Sequence, residues 1–268
     1  MIDILQIDFI RNAVIGGILL TILLSILSFF IVVKNWSFIT VGISHATFGG
    51  LAIGLYLGLN PTFIGLIFAV IVGFLIGYVS KHGKLHEDTS IGILFSFSMA
   101  LGVLIISMVP NYNSDLFTFL FGNILTITDL DIYTLAIFTL ISLSFIGIFF
   151  QKILFCCYDE DVAYTTGINT SFYYYSLIFI VSIATVLAVK LVGVILSSAM
   201  MILPAALSTQ FFWHYKKIIS FSIIASVLIV LIGIYVSYIF DLPTGAFIVF
   251  LYSLIFGIVL FMRNILKR

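Results

Sequence analysis

Few side chains in this sequence are equipped for chemistry, and one histidine stands apart from the others. His45 lies in Thr40-Val41-Gly42-Ile43-Ser44-His45-Ala46-Thr47-Phe48-Gly49-Gly50, inside a long apolar stretch. Neutral imidazole is a good ligand for borderline divalent metals, and Ser44 and Thr47 offer oxygen atoms beside it. The same residues also suit a histidine hydrogen-bonded between packed helices, and residue types alone leave both readings open. His82 and His86 stand four apart in Lys81-His82-Gly83-Lys84-Leu85-His86-Glu87-Asp88, a spacing a metal can use, but their charged neighbours mark a solvated loop. His214, beside Lys216 and Lys217, reads the same way.

Catalytic signatures are missing. His86-Glu87-Asp88-Thr89-Ser90 is not HExxH, and Gly42-Ile43-Ser44-His45-Ala46 lacks the second glycine of GxSxG. No GxxxxGK[ST] phosphate loop occurs, so the chain is read as no enzyme and as no ATP binder by that route. Acidic residues gather at the ends of apolar stretches and none lies near a midpoint, which argues against a proton-coupled carrier. Cys156 and Cys157 are adjacent, forming neither a CxxC motif nor a disulfide framework.

The elements that must position these residues follow from composition. Of 268 residues, 63% are hydrophobic and 8% charged, too few charges to coat a soluble domain, so the solvent is a lipid bilayer. Eleven basic and eleven acidic residues cancel, and nothing points to nucleic acid. Arg11 opens an apolar run too long for a signal-peptide core, with no small-residue cleavage site behind it. Runs of about 20 residues, the length needed to cross the hydrocarbon, recur at 10–33, 42–59, 61–80, 90–109, 129–150, 172–189, 191–210, 218–239 and 244–262. The fold class is therefore all-α, a polytopic transmembrane bundle of eight or nine spans forming one domain over residues 1–268.

An outside amino terminus places Lys34, Lys81, Lys84, Lys152, Lys216, Lys217, Arg263, Lys267 and Arg268 inside, leaving out only Arg11 and Lys190. In the second span Ala46, Gly50, Gly54 and Gly58 repeat every four residues, a smooth ridge for close helix packing. Gly73 and Gly77 repeat the device in the third. On the inner face, residues 157–169 read as a short acidic amphipathic helix ending in Gly167, placed where an ATPase would dock.

These features resemble the permease subunits of bacterial manganese/zinc/iron ABC importers, the ABC-3 family, nearly end to end. Lys34 to Phe38 and then Ser44-His45-Ala46 are similar to the family's basic turn and its "GDALSHAVLPG" signature. Asp115 to Leu125, "DLFTFLFGNIL", Val192 to Ala206, "VGVILSSAMMILPAA", and Asp241 to Ala246, "DLPTGA", match further signatures. Tyr158 to Gly167, "YDEDVAYTTG", is similar to the family's coupling helix, "FDPEFARVLG".

The resemblance implies a bacterial plasma-membrane permease working with a second permease subunit, as a homodimer or a heterodimer, and with cytoplasmic ABC ATPase subunits that bind the ATP. An extracellular metal-binding protein would deliver the ion. The cargo would be a divalent metal, zinc or manganese and possibly iron, with no tightly bound cofactor. The resemblance places His45 on the metal path with Ser44 and Thr47, and gives Asp159, Asp161, Ala163 and Gly167 to ATPase coupling. Two departures stand out: Val41 replaces the family's aspartate four residues before the histidine, and Gly49 its proline four after. Position i−4 lies beside His45 on a helix, so a hard oxygen ligand is lost and a nitrogen-tolerant ion such as zinc gains over manganese. A chelated metal or other small solute, or an ATP-independent carrier, are the alternatives.

Overall fold

A computed structural model describes residues 8–83, 87–109, 122 and 127–266. His86, Lys84, Lys267, Arg268 and the 115–125 signature apart from Gly122 lie outside the described residues. The described chain is helical: α1 (Asp8–Val33), α2 (Ser37–Tyr56), α3 (Pro61–His82), α4 (Glu87–Ile106), α5 (Asp129–Tyr158), α6 (Glu160–Thr165), α7 (Thr170–Met200), α8 (Leu203–Ser208), α9 (Tyr215–Phe240) and α10 (Thr244–Leu266). Helix starts are written locally. The Asn60 side chain accepts the Phe63 N–H at 3.3 Å ahead of Pro61, and Thr128 with Asp131 forms a reciprocal capping box before α5.

Among the described residues, eight helical stretches are long and apolar enough to cross a membrane, and this is a multi-pass membrane protein. One of the eight, Thr170–Ser208, folds back on itself. Thr185 donates to the Met201 sulfur at 3.4 Å, although 16 residues of straight helix would separate them by about 24 Å. The reversal falls at Gly193, where φ is 82° and ψ 168°, a backbone conformation open only to glycine. Gly122 lies on this apex so closely that a Cβ there would stand 2.2 Å from the Gly193 nitrogen. Counting that stretch twice, the described chain runs the height of the bundle nine times.

The ends of the bundle sort by charge. Lys190, near the reversal, pairs with Asp131 at the start of α5. At the other end Lys34 and Lys81 meet Glu160, and Tyr215, next to Lys216 and Lys217, packs on Phe150 late in α5. The basic end is the one that the positive-inside rule assigns to the cytoplasm. α5 has 30 residues, more than the roughly 20 that cross the hydrocarbon, kinks at Phe149 and carries α6 beyond its inner end.

α2 starts at Ser37, five residues earlier than the hydrophobic run indicates, because Ser37 and Thr40 are tolerated in a first turn where Thr40 donates to the Ser37 carbonyl at 3.0 Å. It packs between α3 and α4 and against α7. A Cβ on Gly50 would lie 2.6 Å from the Phe68 Cβ and 2.7 Å from the Gly65 Cα; one on Gly54 would lie 2.7 Å from the Pro61 Cα. Ala46 is fully buried. Gly58 is a correction to the ridge: it lies beyond the end of α2, exposed, with φ +66° and no neighbour a Cβ would meet. It serves the turn, not the packing.

Cysteine scanning in a Cys156→Ala/Cys157→Ala background checks the ninefold path. Leu59→Cys and Leu242→Cys should react with impermeant maleimide in intact cells, whereas Asp161→Cys and Trp213→Cys should react only after permeabilisation. Labelling at position 213 in intact cells would remove the reversal at Gly193. Gly50→Val should lower stability in detergent by about 2–4 kcal/mol through forced separation of α2 and α3. Gly92→Ala, where a Cβ meets nothing within 4 Å, should leave thermal unfolding unchanged or raise it slightly.

Candidate functional site

His45 is the ninth residue of the 20-residue α2, about 12 Å along the axis from Ser37. That places it near the middle of the helix. Its ring stands edge-on to Phe95 of α4 with centroids 5.0 Å apart, and its Nδ1 is buried without a hydrogen-bond partner. The ring is half-buried, as is Val41 one turn below, while Phe38 at the base is exposed, so one stripe of α2 opens towards the inner half of the bundle.

The structure brings Ser44 and Thr47 to the same level as His45 but not to the same side. The Thr47 hydroxyl donates to the Ile43 carbonyl at 2.9 Å, and its methyl points at Gly65 of α3. Two positions along a helix is a rotation of about 200°, which explains the separation. Ser44 is wholly buried and its hydroxyl lacks a partner. No cluster of three or more histidine, cysteine or acidic side chains occurs among the described residues. What α2 offers is one imidazole with a free nitrogen and one free hydroxyl. His82, stacked on Tyr78 with its Nδ1 3.1 Å from the Tyr78 carbonyl, and His214, whose ring accepts the Lys216 N–H at 3.3 Å, serve helix ends.

A second constellation lies at the cytoplasmic end, around α6. Asp159 caps this helix by accepting the Val162 N–H at 2.9 Å, and Asp161 is exposed. Gly167 closes it in the left-handed region (φ +83°), with Gly167 N–H to the Tyr164 carbonyl at 3.0 Å and Ile168 N–H to the Ala163 carbonyl at 3.3 Å, a Schellman arrangement. Ala163 corrects the sequence reading: it is 0% exposed and faces the bundle, so it cannot sit in the cleft of another protein. The outward face of α6 and its approach is instead Tyr158, Asp161, Val162 and Tyr164.

Sequence reasoning passed over Glu160. Its carboxylate accepts from Lys34, in the turn before α2, at 3.2 Å and from Lys81, in the last turn of α3, at 2.5 Å. Lys81 lies over the Tyr174 ring at 4.2 Å, and Trp36 stands edge-on to the same ring at 5.1 Å. A signal existed: Glu160 and Ala163 are three apart, so an apolar Ala163 turned inward carries Glu160 inward with it. Burial raises the Glu160 pKa, but the Lys81 hydrogen bond and the charges of both lysines outweigh it and hold the group below its ordinary value.

The arrangement is that of a polytopic membrane protein: a spanning helix carrying one half-buried imidazole, and a short helix at the basic end of the bundle. Residues 6–263 match the ABC 3 transport family, and the chain belongs to it. It is 33% identical over 254 residues to the manganese transport system membrane protein MntC of Listeria monocytogenes, covering 95% of this chain and 90% of that one. It is 34% identical over 264 residues to the manganese import system permease protein ScaB of Streptococcus gordonii, covering 97% and 94%. Among solved structures it resembles PsaBC from Streptococcus pneumoniae in complex with Fab, with a TM-score of 0.84 and 32% identity over 96% of this chain and 93% of that one.

Because the folded-state pKa of Glu160 is depressed, its ion pairs contribute fully above the ordinary glutamate value near 4.5 and are lost as pH falls through the lower folded value. In a Trp213→Phe background, Trp36 fluorescence should hold steady at neutral pH and change on acidification below about 4.5. Adding Glu160→Gln should remove that acid transition.

Proposed function

We propose that this chain is the membrane-spanning half of an ATP-driven importer of divalent transition-metal ions, with manganese the foremost cargo. The observation that carries this reading is the likeness over 90% or more of both chains to relatives named as manganese transport permeases. Energy comes from a separate ABC ATPase, for which the exposed Tyr158, Asp161, Val162 and Tyr164 offer a docking face. A metal-binding protein on the opposite face hands over the ion. The half-open stripe of Phe38, Val41 and His45 supports a second permease copy that completes the wall of the path.

The chemistry of the path follows from its sparse donors. An ion stripped of water loses far more than one imidazole returns, so it crosses largely hydrated and touches His45 briefly. Brief binding suits a conduit, which has to release what it admits. Imidazole ranks manganese lowest among the first-row divalent ions, so manganese leaves His45 fastest. Zinc binds the nitrogen more firmly, and with Val41 in place of a carboxylate no charged oxygen on this turn favours manganese in affinity. The path thus favours zinc in binding while the relatives point to manganese as cargo. Uptake assays ion by ion are what separate the two.

In proteoliposomes holding the chain with its ATPase and metal-binding partners, His45→Ala should cut manganese uptake by about tenfold or more, with assembly unchanged. Val41→Asp should raise manganese uptake relative to zinc, since it restores an oxygen ligand beside the imidazole. Normal transport by His45→Ala would make the histidine a packing residue. Uptake of a chelated metal or another solute in place of free manganese and zinc would overturn the cargo.

A further inference from the structure

We infer that Glu160 is the positioning residue that ties movement of α6 to the base of α2, the helix that carries His45. This rests on the reading of the chain as an ATPase-driven permease. α6 has six residues and touches little of the bundle, so its own packing can hold it only loosely. Its two inward anchors are Ala163, which contributes a methyl group, and Glu160, which contributes charge.

The Glu160 carboxylate draws four elements together. Lys34 lies in the turn that joins α1 to α2, two residues before the Trp36 that precedes the first turn of α2. The same Lys34 Nζ reaches the Cys156 carbonyl at 3.5 Å, on the last turn of α5. Lys81 ends α3, which lies against α2 over most of its length, and rests on the Tyr174 ring of α7. Trp36 stands edge-on to the same ring. A displacement of α6 by a partner therefore pulls on the foot of α2, on α3 and on α7 at once, through one carboxylate.

These pairs differ from the usual surface ion pair, which contributes almost nothing. The exposure of the three side chains is 17% for Lys34, 21% for Lys81 and 28% for Glu160, so water screens them little. Glu160 also stands at the first position of α6, where the coupling-helix motif quoted above has proline. Proline there would fix the start of the helix. This chain gives up that stiffening and holds the same point by charge. On the outer face of α6, Asp161 has the same charge but is exposed and pairs with no lysine among the described residues, which sets the two acids apart: Asp161 towards a partner, Glu160 towards the bundle.

The experiment uses the complex of this chain with its ATPase and metal-binding partners in proteoliposomes, comparing Glu160→Gln, Lys81→Met and the double variant with wild type. Spin labels at Thr165→Cys and Ser37→Cys, both off the docking face and the stripe, in the Cys156→Ala/Cys157→Ala background, report the distance between α6 and the base of α2 with and without ATP. In wild type that distance should stay narrow in both states. Glu160→Gln should keep assembly and ATP hydrolysis within about twofold, broaden the distance, and move about fivefold fewer manganese ions per ATP. Lys81→Met should do the same, and the double variant should be no worse than either single one, as for residues acting as a unit. A Glu160→Gln complex with the wild-type distance and the wild-type number of ions per ATP overturns the assignment. So does one that fails to assemble, which would make Glu160 a docking or folding residue. If wild type hydrolyses ATP yet carries no manganese, the cargo fails, and the role of Glu160 is then decided by the distance alone: it stands if Glu160→Gln broadens it and falls if it does not.

Discussion

In a bilayer, helices gain nothing by hiding apolar surface from a solvent that is itself apolar, so α2 is held by closeness of contact. That closeness exists only where side chains are nearly absent. Gly50 and Gly54 let α2 touch the backbone of α3 at Gly65 and Pro61, and Gly49 does the same towards Ser98 of α4. Dispersion over such a seam is large because each atom meets a partner at contact distance. The placement of His45 depends on it, because the imidazole stays at mid-depth only while α3, α4 and α7 clasp the helix around it. Without the small residues, α2 would stand off and a polar ring would face lipid.

The two ends of the bundle solve different problems. At the outer end, the chain must reverse within a single residue, and Gly193 supplies a backbone conformation that other residues resist. Lys190 and Asp131 then fasten α7 to α5, and Asn12 donates to Asp129 at 2.9 Å to fasten α1 to α5. At the inner end, a short helix has to be held against a large bundle yet stay able to receive a partner. Charge does this better than packing, since two lysines can grip one carboxylate without extending a core into the cytoplasm. The α8 segment shows a third device: the Ser28 hydroxyl accepts the Ala205 N–H at 3.1 Å and donates to the Ile202 carbonyl at 3.2 Å. It thereby satisfies backbone groups that a broken helix would leave bare inside the membrane.

Buried hydroxyls recur along the same interior. Ser208 and Ser222 bond each other at 2.7 Å, and Ser226 meets the Tyr252 hydroxyl at 2.9 Å, linking α8, α9 and α10. Such pairs contribute modestly between membrane helices, but they fix rotation about each helix axis, which apolar packing leaves loose. Ser25, Ser44, Ser182 and Ser197 lie buried without partners. Of these, Ser44 adjoins His45, and Ser182 fills the space that Gly73 leaves in α3.

Sequence by itself determined the solvent, the span lengths and the orientation. These are one-dimensional properties: an apolar run either reaches across hydrocarbon or does not, and lysines either cluster in alternate loops or do not. It also picked out the α2 ridge and the acidic helix before Gly167, since a four-residue repeat and a glycine stop are local patterns. His45 was legible for the same reason, as a polar residue within an apolar run. Tertiary structure decided the rest. Periodicity could not say that 172–189 and 191–210 are two arms of one stretch bent at Gly193, because a glycine's φ is set by what packs on it, here Gly122. It could not turn Thr47 away from His45 or Ala163 away from the cytoplasm, because the face a helix presents depends on its neighbours. Nor could it join Lys34, Lys81 and Glu160, which stand 47 and 79 positions apart in sequence and meet only when α1 and α3 end at the level where α6 begins.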